Sequence, residues 1–235
     1  MRGRQAEAFV WTVGAAQAML VAMSALDSAD VRRRIEALRA NKRAKDVFGA
    51  SGHGFKLERT LTAAEVEAAE GQWGVTFPDD YRTFLLEVGR GGAGPAYGLF
   101  PLVENKGVWR FKGDGGELVS DLKRPFPHEK EWNAVYREMG EDEDEDAYWE
   151  ERDVWDNAVY WHAEQTYGAI CICHRGCAIR DWLVVTGPER GHVWLDDRAS
   201  DAGLIPREIR GERATFAHWY LEWLAATERT VQLEH

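Results

Sequence analysis

Four side chains able to bind zinc lie within seven residues, in the run Cys171-Ile172-Cys173-His174-Arg175-Gly176-Cys177. Thiolate and imidazole are preferred zinc donors, but zinc sites usually join ligand pairs from separated parts of a chain. On a strand, Cys171 and Cys173 share one face while His174 points to the other, so alternation divides the set. Small thiols packed into a sheet are the simpler reading. A metal-dependent enzyme built on this run remains an alternative. A cysteine nucleophile would need a base and an oxyanion hole; His162 and His174 have the right chemistry, but no spacing selects either. Asp196 and Asp197 offer an adjacent carboxylate pair, although strand-end aspartates more often cap turns. The sequence contains no Walker loop, no HExxH and no Gly-x-Ser-x-Gly. The glycine-rich corner Gly89–Gly94 follows a helical pattern and precedes a strand, the reverse of a phosphate-cradling loop. It reads as a tight backbone corner. The expectation is a non-enzymatic protein with no catalytic residue, no resident metal and no cofactor.

Charge is the stronger signal. The formal net charge is −11, which disfavours nucleic acid and anionic membranes as direct partners. Residues 138–156 hold 11 acids and one base, Arg152, a balance of −10, so the rest of the chain carries −1. Within that stretch Glu141, Asp142, Glu143, Asp144, Glu145 and Asp146 run consecutively, with Tyr148, Trp149, Trp155 and Trp161 following. Six like charges repel, so the run is expected as a solvated loop. One reading is a solubility-conferring insertion. The other is an anionic surface that steers a basic protein partner, with Trp149 and Trp155 as packing anchors. These eight residues are the candidate partner-binding set. The seven bases between Arg32 and Lys45 read as a solvated helix face, because no aromatic residues interleave them.

The elements that must position these groups are well marked. Asp30–Asp46 has Val31, Ile35 and Leu38 on one helical face, with Asp30 as a plausible N-cap. Val47–Lys56 is glycine-rich and reads as a link. Thr62 and Glu65 form a capping box, and Leu61 with Val66 a hydrophobic staple. Gly74 ends that helix. Pro78 opens the next, whose Tyr81, Phe84, Leu85 and Val88 share a face before Gly89. Tyr97–Leu102 and Val108–Phe111 read as strands around a turn at Glu104–Gly107, and Lys112–Lys130 as a loop. Tyr167–Cys173, Ala178–Thr186 and His192–Leu195 read as a three-stranded antiparallel meander with turns at Arg175–Gly176 and Gly187–Gly191. Asp196–Gly203 is the exit loop, and Thr215–Leu224 a closing helix.

Three stretches carry a resemblance. Gly74, Pro78, Asp80, Tyr81, Phe84, Leu85, Gly91, Gly92 and Tyr97-Gly98-Leu99, then CHRGCAIRDWLVVTGPERGHVWLDDR, then TFAHWYLEWL, occur in the order of the SUKH superfamily and span about two-thirds of the chain. That superfamily holds yeast cell-wall assembly regulators of the Smi/Knr type and many bacterial toxin-immunity proteins. Arg90 departs from its pattern, which usually has Asn before the glycine pair. The expected fold is α+β, a mixed, mainly antiparallel sheet flanked by helices. The expected organisation is an N-terminal helical extension at 1–56, a SUKH-like domain at 57–232 and a tag remnant at 233–235. The resemblance implies an immunity protein that occludes a cognate toxin domain, such as a nuclease with a basic cleft. A regulatory scaffold is the alternative.

An odd number of cysteines, three, crowded together argues against a disulfide framework and for reduced, cytoplasmic thiols. Phe9–Leu26 is 18 residues without a charge. It reads as a membrane span, as a signal peptide, or as an extension upstream of a natural start at Met23. The resemblance begins near Ser24 and favours the third reading.

Overall fold

The computed structural model describes residues 26–233. The reading of residues 1–22, and residues 234–235 of the tag remnant read at 233–235, lie outside that span. In chain order the helices are α1 (Ser28–Ala40), α2 (Ala50–His53), α3 (Ala63–Trp73), α4 (Asp79–Thr83), α5 (Glu145–Trp155) and α6 (Phe216–Leu233). The strands are β1 (Leu102–Asn105), β2 (Val108–Phe111), β3 (Ala169–Gly176), β4 (Ile179–Val184), β5 (Val193–Asp197), β6 (Gly203–Pro206), β7 (Glu208–Ile209) and β8 (Glu212–Arg213). Strands β3-β4-β5-β6 form the central sheet in sequence order, and β1-β2 and β7-β8 are separate hairpins. Every pairing is antiparallel. The class is α+β.

One hydrophobic cluster runs from Val31, Ile35 and Leu38 of α1 to Phe216, Tyr220 and Leu224 of α6. Ala169 through Cys173 are all fully buried, so β3 is covered on both faces. That explains why its sequence is a continuous apolar run rather than an alternating one.

The α3 capping box forms as the sequence dictates. The Thr62 N–H donates to Glu65 Oε2 at 2.8 Å and the Glu65 N–H to the Thr62 hydroxyl at 3.2 Å. Leu61 and Val66 are both buried, as a staple requires. Gly74 closes the helix with a left-handed φ of 65°. Pro78 sits at the N-cap of α4, one position earlier than expected. The helix then widens into a π-turn over Phe84–Val88, with the Gly89 N–H donating to the Phe84 carbonyl. Tyr81, Phe84, Leu85 and Val88 are completely buried. Their rings interlock with α6: Tyr81 meets Phe216 at 5.1 Å and Phe84 meets Tyr220 at 4.9 Å.

At the glycine corner the Gly92 N–H donates to the Leu99 carbonyl at 2.9 Å, the Leu99 N–H returns to Gly92 at 2.8 Å, and Ala93 reaches Lys56. A Cβ at Gly92, where φ is 103°, would lie 2.3 Å from the Lys56 carbonyl oxygen. Only glycine lets three backbone segments meet there. The Tyr220 hydroxyl donates to the Ala93 carbonyl at 2.8 Å and ties α6 to the corner. Arg90 is not among the residues with positive φ, so the position does not need asparagine's tolerance of left-handed backbone. Its guanidinium pairs with Glu58 at 2.8 Å.

Several expectations are corrected. Helix α1 ends at Ala40 rather than Asp46, because Asn41 leaves the helix and caps a short 3₁₀ turn at Lys42–Asp46 through the Arg43 N–H. Asp27, not Asp30, is the α1 N-cap. Val47–Lys56 contains α2 and two buried side chains, Ala50 and Phe55. Tyr97–Pro101 is not part of the β1-β2 hairpin, which begins at Leu102. It lies against β3, with the Phe100 N–H donating to the Ile172 carbonyl at 2.9 Å. The β1-β2 turn is only Lys106-Gly107, both at positive φ, and the β3-β4 turn is Cys177-Ala178, also both positive. Such two-residue turns match the right-handed strand twist. Strand β6 starts at Gly203, the last residue of what reads as exit loop, and runs to Pro206. Its glycine and proline fall at its two ends, where neither interrupts the ladder.

A candidate protein-docking surface

Trp132 pairs reciprocally with Leu204 of β6, N–H to carbonyl, at 2.9 and 2.7 Å. From that sheet edge residues 133–140 run out without regular structure, and α5 with its π-turn Asp156–Tyr160 returns. This excursion is a small lobe, and it holds all eight candidate partner-binding residues. The acidic run is not wholly a loop. Glu141 and Asp142 occupy a turn, Asp144 caps α5 by accepting from the Ala147 N–H at 2.9 Å, and Glu145 and Asp146 begin the helix. Carboxylates at a helix N-terminus face its positive dipole end and its free N–H groups, which offsets their mutual repulsion.

Glu143 is also occupied. It takes a bond from Arg137 at 2.7 Å and from the Gly140 N–H at 2.9 Å. The Arg137 guanidinium, seconded by that N–H, holds the Glu143 carboxyl down to about 2. Arg137 bridges to Glu151 at 2.9 Å, and the Tyr148 hydroxyl donates to the Arg137 carbonyl at 3.0 Å. Trp149 is 50% exposed, with its indole N–H 3.4 Å from Glu145. Trp155 is half-buried between Tyr136 at 5.3 Å and Tyr160 at 6.0 Å, and so is partly structural.

Asp196 and Arg198 fasten the lobe to the sheet. The buried Asp196 carboxylate receives Arg198 at 2.7 and 2.8 Å and the Trp182 indole at 3.2 Å. Arg198 spends a further N–H on the Tyr160 carbonyl at 2.7 Å, and the Tyr160 hydroxyl donates to Asn133 at 2.8 Å. The Asp196–Asp197 pair is therefore not a free carboxylate dyad. Asp196 is a bracket, and nothing in the sequence announced that its partner would stand two residues away.

The cysteine–histidine run is dispersed. A register shift between Cys171 and Cys173 breaks the alternation that would align them. Cys173 donates to the Pro95 carbonyl at 3.0 Å, and burial pushes both its thiol and that of Cys171 upward. Cys177 is exposed at the turn, and His174 lies 3.6 Å from Asp114. Among the described residues no three His, Cys, Asp or Glu side chains are grouped so as to hold a metal ion. Two of the α1 arginines reach other parts of the chain: Arg34 pairs with Glu228 at 2.7 Å, and Arg32 caps the π-turn through the Val88 carbonyl at 3.0 Å. Among the described residues no helix is long and apolar enough to cross a membrane.

The family model described as SMI1 / KNR4 family (SUKH-1) matches residues 60–195, more than half of the chain, from the capping box into β5. No curated protein and no solved structure matches.

Proposed function

The chain belongs to the SMI1/KNR4 (SUKH-1) family, and on that footing we propose that it is an immunity protein, a non-catalytic binder that neutralises a cognate bacterial toxin domain in the cytoplasm. The mechanism is stoichiometric occlusion. The lobe built on α5 presents its acids to a basic toxin surface, such as the phosphate-binding cleft of a nuclease, and covers it. What supports this reading is the concentration of charge: the balance of −10 within residues 138–156 is displayed on one projection anchored rigidly by Arg198. Glu141, Asp142 and Asp146 supply long-range attraction, while Trp149, half-exposed beside them, is the packing anchor.

A regulatory scaffold of the cell-wall assembly regulator type draws on the same family. It predicts a partner encoded elsewhere in the genome, whereas an immunity gene sits beside a toxin gene. Co-expression with the neighbouring toxin domain tests the proposal. Restored growth together with a one-to-one complex is the expected result; no rescue and no complex would refute it.

A further inference from the structure

Nine large apolar side chains are exposed among the described residues, and five of them, Val135, Met139, Trp149, Val154 and Trp161, lie in the acidic lobe. Exposed apolar side chains concentrated on one small projection mark an interaction site. The outer side of α5 carries an open groove of about 700 Å³ whose apolar wall is Tyr136, Val154, Trp155, Ala158 and Val159. Ala147, Glu151, Trp155 and Val159 recur every four residues, and Glu150, Val154 and Ala158 form the adjacent row, so the groove follows two ridges of one helix. The buried residues of this segment, Tyr148 and Tyr160, face the lobe's own interior, leaving Val154 70% exposed. Glu150 and Glu151 interrupt the apolar wall.

We propose that this groove docks a basic amphipathic helix of a protein partner. The partner's apolar stripe would lie between Tyr136 and Val154, and its lysines and arginines would meet Glu150 and the neighbouring acids. Charge selects the occupant. Of the 11 acids in residues 138–156, three, Glu143, Glu151 and Asp156, form ion pairs within the chain. The other eight have no ion-pair partner among the described residues. A second copy would bring the same negative lobe, and an anionic membrane would be repelled as strongly. Residues 145–160 make a helical ridge about 24 Å long, enough for a partner helix of several turns.

This inference rests on the binding-protein reading above and is tested separately from it. The probe is a fluorescein-labelled 18-residue peptide of leucine and lysine arranged at helical period, against a scrambled peptide of the same composition, titrated into the full chain by anisotropy. The amphipathic peptide should bind one-to-one and at least about tenfold tighter than the scrambled one. Val154→Gln and Ala158→Gln, both at exposed positions, should each weaken it about fivefold or more with an unchanged circular dichroism spectrum. Glu141→Gln with Asp142→Asn should weaken both peptides alike. Equal binding of the two peptides, or unaltered affinity in both groove variants, overturns the proposal. So does a dimer, seen by light scattering, that Val154→Gln converts to monomer. Silent groove variants with an intact toxin complex would sink the groove and spare the immunity reading; groove binding without a toxin complex would do the reverse.

Discussion

Arg198 carries two duties that come apart on substitution. It neutralises the buried Asp196 carboxylate and holds the Tyr160 carbonyl at the end of the lobe. Arg198→Ala strands a buried charge, and the expected cost is about 3–5 kcal/mol, read from urea unfolding. A loss under about 1 kcal/mol would contradict the bracket role. His128 gives a pH signature. It packs against Phe126, Trp132 and Trp194 at 5.3, 5.1 and 6.3 Å. Burial, with Arg198 nearby adding to it, lowers His128 from 6.5 to about 4. Burial lowers His53 likewise to about 4. Between pH 6.5 and 4 the unfolded chain therefore binds more protons than the folded one, so stability rises with pH across that window and falls on acidification. His128→Phe should flatten the slope between pH 7 and 4.5, and a parallel slope would count against this account. Neither shift was legible in the sequence, because the burial behind it also needs rings from distant segments, Trp194 at His128 and Trp223 at His53.

At the scale of elements, α3 and α4 were the most legible. Capping box, staple and closing glycine are local signals, and each falls within one or two positions of where the sequence puts it. Thr62→Ala removes the cap to the Glu65 N–H and should cost about 1 kcal/mol, measured as a lower urea midpoint with unchanged slope. An unmoved midpoint would show the cap to be redundant with the Arg59–Glu65 pair at 2.7 Å. Where the reading failed, the deciding contacts were non-local. Tyr97–Phe100 has strand-like residues, but β3 captures it through the Ile172 carbonyl. Strand β6 is only four residues long, bounded by glycine and proline, and is held as a strand by β5 and Trp132 on its two sides. The acidic run reads as pure solvated loop because its like charges repel, whereas the helix N-terminus that Asp144, Glu145 and Asp146 occupy offsets that repulsion. The groove had a faint signal, Ala147, Val154, Trp155, Ala158 and Val159 at helical spacing, hidden among charges.

For the whole molecule, a nearly neutral body carries a strongly negative lobe. The structure divides the six consecutive acids by duty. Glu143 is tied to Arg137 and Asp144 caps α5, whereas Glu141, Asp142 and Asp146 have no bond to another side chain among the described residues. Glu141 and Asp142 have no structural duty and Asp146 only faces the α5 N-terminus, which makes the three the cleanest probe of the central claim, that the lobe faces a basic partner. The direct measurement is the association rate of the neighbouring toxin domain with wild type and with the Glu141→Gln, Asp142→Asn, Asp146→Asn variant, at several salt concentrations. Steering predicts that the variant associates about tenfold more slowly at low salt, with a shallower salt dependence. Unchanged association rates and an unchanged salt slope would contradict the account and leave the acids as solvation alone.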